Sequence, residues 1–407
     1  MNTGLLGRTL GHSYSPLIHH LLGDPSYTLY PREPEEIEQL LLHGAWDGLN
    51  VTIPYKKDAA RLCQKLTPLA KELGSVNTLF KDREGRLCGH NTDWSGFLFM
   101  TRQLNTNFSG KKALVLGTGG ASVTVQSVLK HLGCQVVVIS RQGEHNYDNL
   151  HLHHDARFVV NATPVGMYPN NGEAPLSLGQ FPSLEGVLDL IYNPVRTALC
   201  LQAEALGIPF VSGLTMLVAQ AAEARKYWDG AEVTEDTCRQ VCSQVRSTME
   251  NVILIGMPGS GKTTVGQLLA KKLDRPFVDT DQLLTEAIGS VPDFIAKYGE
   301  DAFRKEETAV LAKVGKESGL VIATGGGVVT RPENDPLLHQ NGQIFWIRRP
   351  LEQLSTDGRP LSQRDGVQAL YEKREPLYRQ FADVSVDNGA AVEETLAQIL
   401  RERKGRT

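Results

Sequence analysis

The chain has 407 residues and a mass of 44.7 kDa, too much for one ordinary core and enough for two or three units of about 150 residues each. With 22% charged and 41% hydrophobic residues and a net charge of −4, it has the balance of a folded globular protein, without the basic excess of a nucleic-acid-wrapping one. Its greasiest runs, 113–116 and 136–139, are a few residues long where a bilayer demands roughly 20, and no basic stretch followed by a long apolar one opens the sequence, so we expect a cytoplasmic enzyme with no membrane or nucleic-acid partner.

Short β-branched runs alternate with amphipathic helical stretches throughout, the pattern of α/β domains with mostly parallel sheets. Six cysteines, at 63, 88, 134, 200, 238 and 242, show neither CxxC nor Cys/His ligand spacing. Reduced thiols are expected, rather than a disulfide framework or a zinc site.

In chain order, strand signals at 47–53 and 75–80 place an α/β domain in the first hundred residues. It concentrates polar residues in four motifs: His12-Ser13-Tyr14-Ser15-Pro16, Asn50-Val51-Thr52-Ile53-Pro54-Tyr55-Lys56, Val76-Asn77-Thr78 and Asn91-Thr92-Asp93. Singly these read as caps and turns. Jointly, hydroxyls, amides and one Lys/Asp combination suit a polyhydroxy acid.

The run Lys111 to Leu116 leads into Gly117-Thr118-Gly119-Gly120-Ala121-Ser122, then a helix to about Leu132 and a second strand, 135–140. This is the start of a βαβ unit, although Ser122 stands where the dinucleotide fingerprint has its third glycine. The second strand ends on Ser140-Arg141. A cation there suits a ribose 2′-phosphate, where an NAD enzyme presents Asp or Glu, so NADP is favoured over NAD; alternatively Arg141 only faces solvent. His151, His153 and His154 read as a solvated loop ahead of a metal site.

These motifs, with Asn161-Ala162-Thr163-Pro164-Val165-Gly166-Met167, Asp189-Leu190-Ile191-Tyr192-Asn193-Pro194 and Gly213-Leu214-Thr215-Met216-Leu217-Val218-Ala219-Gln220, resemble shikimate dehydrogenase from about residue 4 to 230. The resemblance implies reversible hydride transfer between NADPH and 3-dehydroshikimate. By it, Ser13, Ser15, Thr52, Asn77, Tyr192 and Gln220 surround the substrate. Lys56 donates the proton and Asp93 holds its ammonium, while Gly117, Gly119, Gly120, Ala121, Ser140, Arg141 and Gly213 serve the cofactor. Two residues depart from the family pattern: Trp94, where glycine is usual, and His20, where Asn is common.

Helical periodicity over 214–226, then a polar helix ending near Met249, sets the boundary between two halves. Beyond it the strand 251–255 runs into Gly256-Met257-Pro258-Gly259-Ser260-Gly261-Lys262-Thr263 and a helix, 264–273. This is a complete P-loop in the required strand-to-helix context. Its backbone N–H groups cradle phosphates, Lys262 reaches the β and γ phosphates of ATP, and Thr263 ligates Mg²⁺. The strand 277–281 ends on Asp279 and Asp281, two carboxylates at i and i+2, one suited to the metal and one to a substrate hydroxyl. Thr324-Gly325-Gly326-Gly327 gives bare backbone after the strand 319–323.

With Gly299-Glu300-Asp301-Ala302-Phe303-Arg304, Arg359-Pro360-Leu361 and Arg374-Glu375-Pro376-Leu377-Tyr378, this half resembles shikimate kinase over about 251 to 400. The resemblance implies that Arg304, Arg374 and the Gly325–Gly327 backbone, Gly326 included, hold shikimate. Asp281 orients or deprotonates its 3-hydroxyl, and Arg359 closes from a lid. Nucleotide and metal fall to Gly256, Gly259, Ser260, Gly261, Lys262, Thr263, Thr264 and Asp279. Between Pro350 and Arg359 the chain is shorter than is usual, with Ser355-Thr356-Asp357 where an adenine-stacking arginine is common. Arg348 and Arg349 lie just upstream, and the adenine contacts stay open.

The expected architecture is three α/β units: a substrate domain from 1–96 plus 213–246, a Rossmann-like NADP domain at 97–212, and a P-loop kinase domain with a parallel sheet at 251–407. Both halves point to shikimate, as product of one and substrate of the other. The expected function is NADPH-dependent reduction of 3-dehydroshikimate and ATP-dependent phosphorylation of shikimate. Two alternatives remain open: a quinate- or NAD-preferring dehydrogenase fused to the kinase, or one half acting as a non-catalytic ligand-binding module.

Overall fold

The computed structural model describes residues 1–11, 13–354 and 366–404. His12, Arg359, the Pro360-Leu361 pair and Ser355-Thr356-Asp357 lie outside the described residues. The chain divides into two compact units, one of residues 1–166, 173–192 and 202–245, the other of 167–172, 193–201 and 246–407.

The first unit holds two sheets. One contains β1 (Thr3–Gly7), β2 (Thr28–Pro31), β3 (Gly48–Val51), β4 (Lys65–Leu66), β5 (Thr78–Lys81) and β6 (Leu87–His90) in the order β2-β1-β3-β5-β6-β4. It is mixed: β2-β1-β3 are parallel, whereas β3-β5-β6 pair antiparallel, with Asn50 opposite Thr78. The short connection Asp82 to Arg86 makes β5 and β6 antiparallel, because a parallel return needs a crossover of a dozen or more residues.

The second sheet is all-parallel: β7 (Lys112–Leu116), β8 (Gln135–Ile139), β9 (Phe158–Asn161), β10 (Gly186–Asp189) and β11 (Phe210–Ser212), in the order β11-β10-β9-β7-β8. Ala113, Val115, Phe158, Val160 and Leu188 are fully buried and pack with Val125 and Leu129 of the helix Gly120–His131. Central strands covered on both faces read as unbroken apolar runs for this reason. Of the three histidines read above as a solvated loop, His151 and His154 are exposed, whereas His153 ends a 3₁₀ turn, Tyr147–His153, and is buried against His145 at 3.2 Å.

The second unit carries β12 (Asn251–Ile255), β13 (Phe277–Asp279), β14 (Val321–Ala323), β15 (Gly342–Arg348) and β16 (Val384–Asp387), all parallel, in the order β13-β14-β12-β15-β16. β12 lies at the centre, and the chain leaves its C-terminal end as the P-loop beside the place where strand order reverses. Crevices at that point are where open α/β sheets bind ligands.

All six cysteines are free thiols. Burial pushes Cys134 up to about 11 and Cys63 and Cys242 up to about 12, so these thiols are poor nucleophiles.

Candidate active sites

In the first unit the site grows out of the C-terminal edge of β1 and β3. β3 ends at Val51, and Thr52 N–H still bonds Leu6 O (2.9 Å) before the chain turns into the helix Lys56–Leu62. Lys56 is the first helical residue, where the helix dipole opposes a cation. Asp93 offsets this. It opens the helix Asp93–Arg102, where its charge suits the dipole, and its Oδ2 lies 2.5 Å from Lys56 Nζ.

Asp93 is oriented in turn by Asn77, whose Nδ2 donates to Asp93 Oδ1 (2.9 Å) and whose Oδ1 accepts from Thr92 N–H (2.7 Å). Only one orientation of the Asn77 amide satisfies both. Behind Asn77, Asn50 donates to Thr78 Oγ1 and Asn77 O and accepts from Tyr27 OH (2.8 Å) and His19 Nε2 (3.1 Å). Burial lowers His19 to about 3, so it stays a neutral donor.

A cavity of about 390 Å³ joins this pair to the other expected residues: Ser13, Ser15, Thr52, Asn77, Tyr192 and Gln220 all line it, and so does Gly213. Burial raises the Tyr192 phenol, with Tyr14 edge-on at 6.3 Å. A side chain at Gly213 would collide with Leu190 O, so glycine here lets the helix Leu214–Trp228, which carries Gln220, approach the end of β10.

Ala121 lines the same cavity, which places the first turn of the glycine-rich helix beside Lys56 and Asp93. A Cβ on Gly119 or Gly120 would meet nothing within 4 Å, so that backbone is open to a ligand. Gly117, with φ +97°, packs on Thr163 and Ala162. Gly117, Gly119, Gly120, Ser140 and Arg141 lie outside the cavity lining. Arg141 is exposed at the end of β8, without a carboxylate partner among the described residues.

The two departures sit away from this lining. Trp94 donates to Ser127 Oγ (3.2 Å) and meets His131 edge-on, fastening one helix to the next, while His20 is exposed at a helix end.

In the second unit a cavity of about 530 Å³ is lined by Gly259, Gly261, Lys262, Thr263 and Thr264 at one end and by Asp281, Arg304, Gly326 and Arg374 at the other. Gly259 and Gly261 adopt φ of +84° and +93°, which the inward turn of the loop requires. Lys262 Nζ rests on the carbonyls of Gly256 (2.9 Å) and Met257 (3.0 Å). Gly256 and Ser260 support the loop from outside the lining; a Cβ on Gly256 would sit 2.5 Å from Ile347 O.

Asp279 and Asp281 both line the cavity, but strand alternation is not the reason. β13 stops at Asp279, whose Oδ1 caps the helix Thr280–Ile288 by accepting from Asp281 N–H (3.0 Å). A carboxylate satisfying a helix N-terminus ends the strand there. Its Oδ2 accepts from Thr263 Oγ1 (2.9 Å), so a hydroxyl and a carboxylate meet beside the loop, oxygen donors fit for a hard cation.

The three glycines after β14 are needed because Pro258 closes on Gly326 and charged groups close on the other two. A Cβ on Gly325 would strike Asp281 Oδ1 and Glu307 Oε1, and one on Gly327 the Arg304 guanidinium. Arg304 is held by Glu307 at 2.8 Å, both buried, and burial raises the Glu307 carboxyl despite Arg304. Arg374 Nη1 and Tyr378 OH both donate to Gly326 O, at 3.2 and 2.5 Å.

Glu307, not singled out in the sequence, and Arg349, named there only beside the open adenine contacts, both line this cavity. Glu307 lies one helical turn after Arg304, so the spacing was its only signal.

Among described residues no helix is long and apolar enough to cross a membrane. Comparison with known proteins identifies the family of each part of the chain. Residues 5–79 match the family described as the shikimate dehydrogenase substrate binding domain, and residues 258–404 match shikimate kinase. A shikimate dehydrogenase (NADP(+)) of Oleidesulfovibrio alaskensis is 38% identical over 255 residues, 56% of this chain and 90% of the relative.

Among solved structures, a chorismate mutase/shikimate 5-dehydrogenase fusion protein from Clostridium acetobutylicum aligns with a TM-score of 0.57 and 32% identity. The alignment covers 60% of this chain and 96% of that one. Shikimate 5-dehydrogenase from Thermus thermophilus, solved with NADP(H) and shikimate, aligns at 0.54 and 32% identity over 60% of this chain and 98% of its own. The chain therefore belongs to the shikimate dehydrogenase family over its first part and carries a shikimate kinase domain at residues 258–404.

Proposed function

We propose that this bifunctional shikimate-pathway enzyme reduces 3-dehydroshikimate to shikimate with NADPH in the first unit and phosphorylates the 3-hydroxyl of shikimate with ATP in the second. What carries the reading is that each cavity joins a nucleotide-binding turn to a polar site fit for a hydroxylated acid: Ala121 beside Lys56 and Asp93, and the P-loop beside Asp281, Arg304 and Arg374.

NADPH, when bound, supplies the hydride. Gly119 and Gly120 offer it an open backbone at the start of a 12-residue helix, with Gly117 making the turn before them and Ala121 following, and Arg141 supplies the cation for a 2′-phosphate. As the ketone carbon takes the hydride, negative charge grows on its oxygen. The Lys56 ammonium gives up a proton to that oxygen and leaves a hydroxyl. Asp93, fixed by Asn77, holds the ammonium in place, and Ser13, Ser15, Thr52, Tyr192 and Gln220 offer hydrogen bonds to the ring substituents. Gly213 lets the Gln220 helix come close.

In the second cavity Arg304 and Arg374 clamp the substrate carboxylate beside the Gly326 backbone. Asp281 accepts the proton of the 3-hydroxyl as the new O–P bond forms and the bond to ADP breaks, while Lys262 balances the phosphoryl charge. Gly256, Gly259, Ser260, Gly261 and Thr264 shape the phosphate cradle. Thr263 and Asp279 would hold Mg²⁺, which supplies positive charge to the phosphates. Closure by Arg359 belongs to this proposal as an expectation from the sequence, as do the domain limits 1–96 plus 213–246, 97–212 and 251–407 and a cytoplasmic location.

Separate assays test each half: NADPH loss with 3-dehydroshikimate and no ATP, and ADP release with shikimate and no NADPH. Turnover in both is expected. Binding without turnover in either would make that half a ligand-binding module, and preference for quinate or NADH would favour the other dehydrogenase reading.

A further inference from the structure

Two adjacent arginines, Arg348 and Arg349, close β15, and the fold gives them different surroundings. β15 runs parallel to β12 with Trp346 in register with Ile255, so both strands deliver their C-terminal ends to the P-loop. Gly256 packs directly on Ile347, two residues before Arg349. The neighbouring strand end is tied to the same loop: Asn388 N–H donates to Arg348 O (2.7 Å) and Asn388 Nδ2 to Ser260 O (2.7 Å).

Arg348 is spent on this framework. Its Nε and Nη2 donate to Asp387 Oδ1 (2.9 and 2.5 Å), and its guanidinium lies 5.7 Å from the Trp346 ring. Arg349 is half-buried and lines the cavity shared with Gly259, Gly261, Lys262 and Thr263. It gives one hydrogen bond, from Nε to Gln353 Oε1 (3.2 Å), and among the described residues it has no carboxylate partner. A half-buried guanidinium that shares a cavity with the phosphate cradle and has no carboxylate partner among the described residues lacks a counter-anion.

We propose that Arg349 is a nucleotide-binding residue: its guanidinium pairs with the polyphosphate of ATP on the P-loop and adds a second positive charge to that of Lys262. Planar, weakly hydrated and permanently charged, a guanidinium suits phosphate oxygens better than any other side chain. Gln353 fixes the Nε edge and leaves both terminal nitrogens for the ligand. The inference rests on the P-loop reading above.

The test is steady-state kinetics of the intact chain with ATP, GTP and shikimate varied in turn. Arg349→Gln should raise KM for ATP and for GTP about tenfold each, the loss of one charge-assisted contact, with kcat and KM for shikimate within about twofold of the parent. Arg349→Lys, which keeps the charge, should recover part of the loss. Added salt should weaken ATP binding less steeply in Arg349→Gln than in the parent.

An unchanged KM for ATP overturns the proposal. So does a rise for ATP without one for GTP, which would put the side chain on the base, and so does an equal rise in KM for shikimate, which would make the residue structural. Lys262→Met separates this from the parent reading. If that variant still transfers phosphoryl groups, the P-loop assignment itself fails, whereas its inactivity beside a normal Arg349→Gln removes only the role of Arg349.

Discussion

The two cavities hold polarity in opposite ways. Around Lys56 and Asp93 the buried partners are neutral: the amides of Asn50 and Asn77, the Tyr27 hydroxyl and an uncharged His19. In the second unit the buried groups are charged, with Arg304, Glu307 and Arg374 packed against bare glycine backbone. The difference follows the chemistry each is assigned. Reduction of a ketone develops negative charge on one oxygen, so one ion pair on a neutral scaffold serves the reacting centre; phosphoryl transfer spreads charge over a polyphosphate and needs several fixed cations to meet it.

The largest expected effect breaks the comparison at its one charged point in the first unit. Lys56→Ala should lower dehydrogenase kcat by roughly 10²–10⁴-fold, the usual worth of a positioned acid, while ADP release from shikimate and ATP is unchanged. A turnover number that survives would reduce the 2.5 Å pair to a structural contact.

Acid should next distinguish the two. His19 and His90 are lowered by burial to about 3 and about 4. Between pH 6.5 and those values the unfolded chain binds more protons than the folded one, so stability is full above pH 6.5 and falls as pH falls. For His19 the full loss is on the order of 5 kcal/mol. Glu307 has the opposite sign: raised by burial, it contributes most at low pH and loses that contribution as pH rises through its folded value. Thermal unfolding across pH 4–7 should show a shallower acid slope in His19→Phe than in the parent; equal slopes would contradict the neutral-scaffold account.

Glu307→Ala then sharpens the charged side. It leaves the buried Arg304 guanidinium with only its longer contact to Glu300 (3.5 Å), at a cost of about 3 kcal/mol of stability, and should raise KM for shikimate more than KM for ATP. Glu307→Gln should recover much of the stability but not the affinity.

The smallest effect is at Arg141. Arg141→Ala should raise KM for NADPH by about tenfold and leave KM for NADH in place, as paired initial-rate measurements will show.

How much of this was legible in the sequence differs along the chain. The P-loop was complete because three glycines, Lys262 and Thr263 satisfy a local backbone requirement that sequence records directly. Lys56 and Asp93 were found through the family resemblance of the polar motifs that contain them, whereas the helix that each begins was not foreseen. The antiparallel pairing of β3, β5 and β6 was not legible, since register depends on which strands meet and not on their composition. The local pattern also misassigned Asp281, placing it on a strand when Asp279 had already capped the next helix. Glu307 was missed because it looks like a surface ion-pair partner until the fold buries it, whereas Arg349 was noted beside the open adenine contacts but could not be told from Arg348 until the fold supplied Asp387 to Arg348 alone.

The most direct measurement supplies purified full-length chain with 3-dehydroshikimate, NADPH and ATP, and follows NADPH loss, ADP release and product mass together. The account predicts that ADP appears only when NADPH is present, and that the final product is both reduced and phosphorylated. ADP release from 3-dehydroshikimate without NADPH, or accumulation of shikimate with no phosphorylated acid, would contradict it.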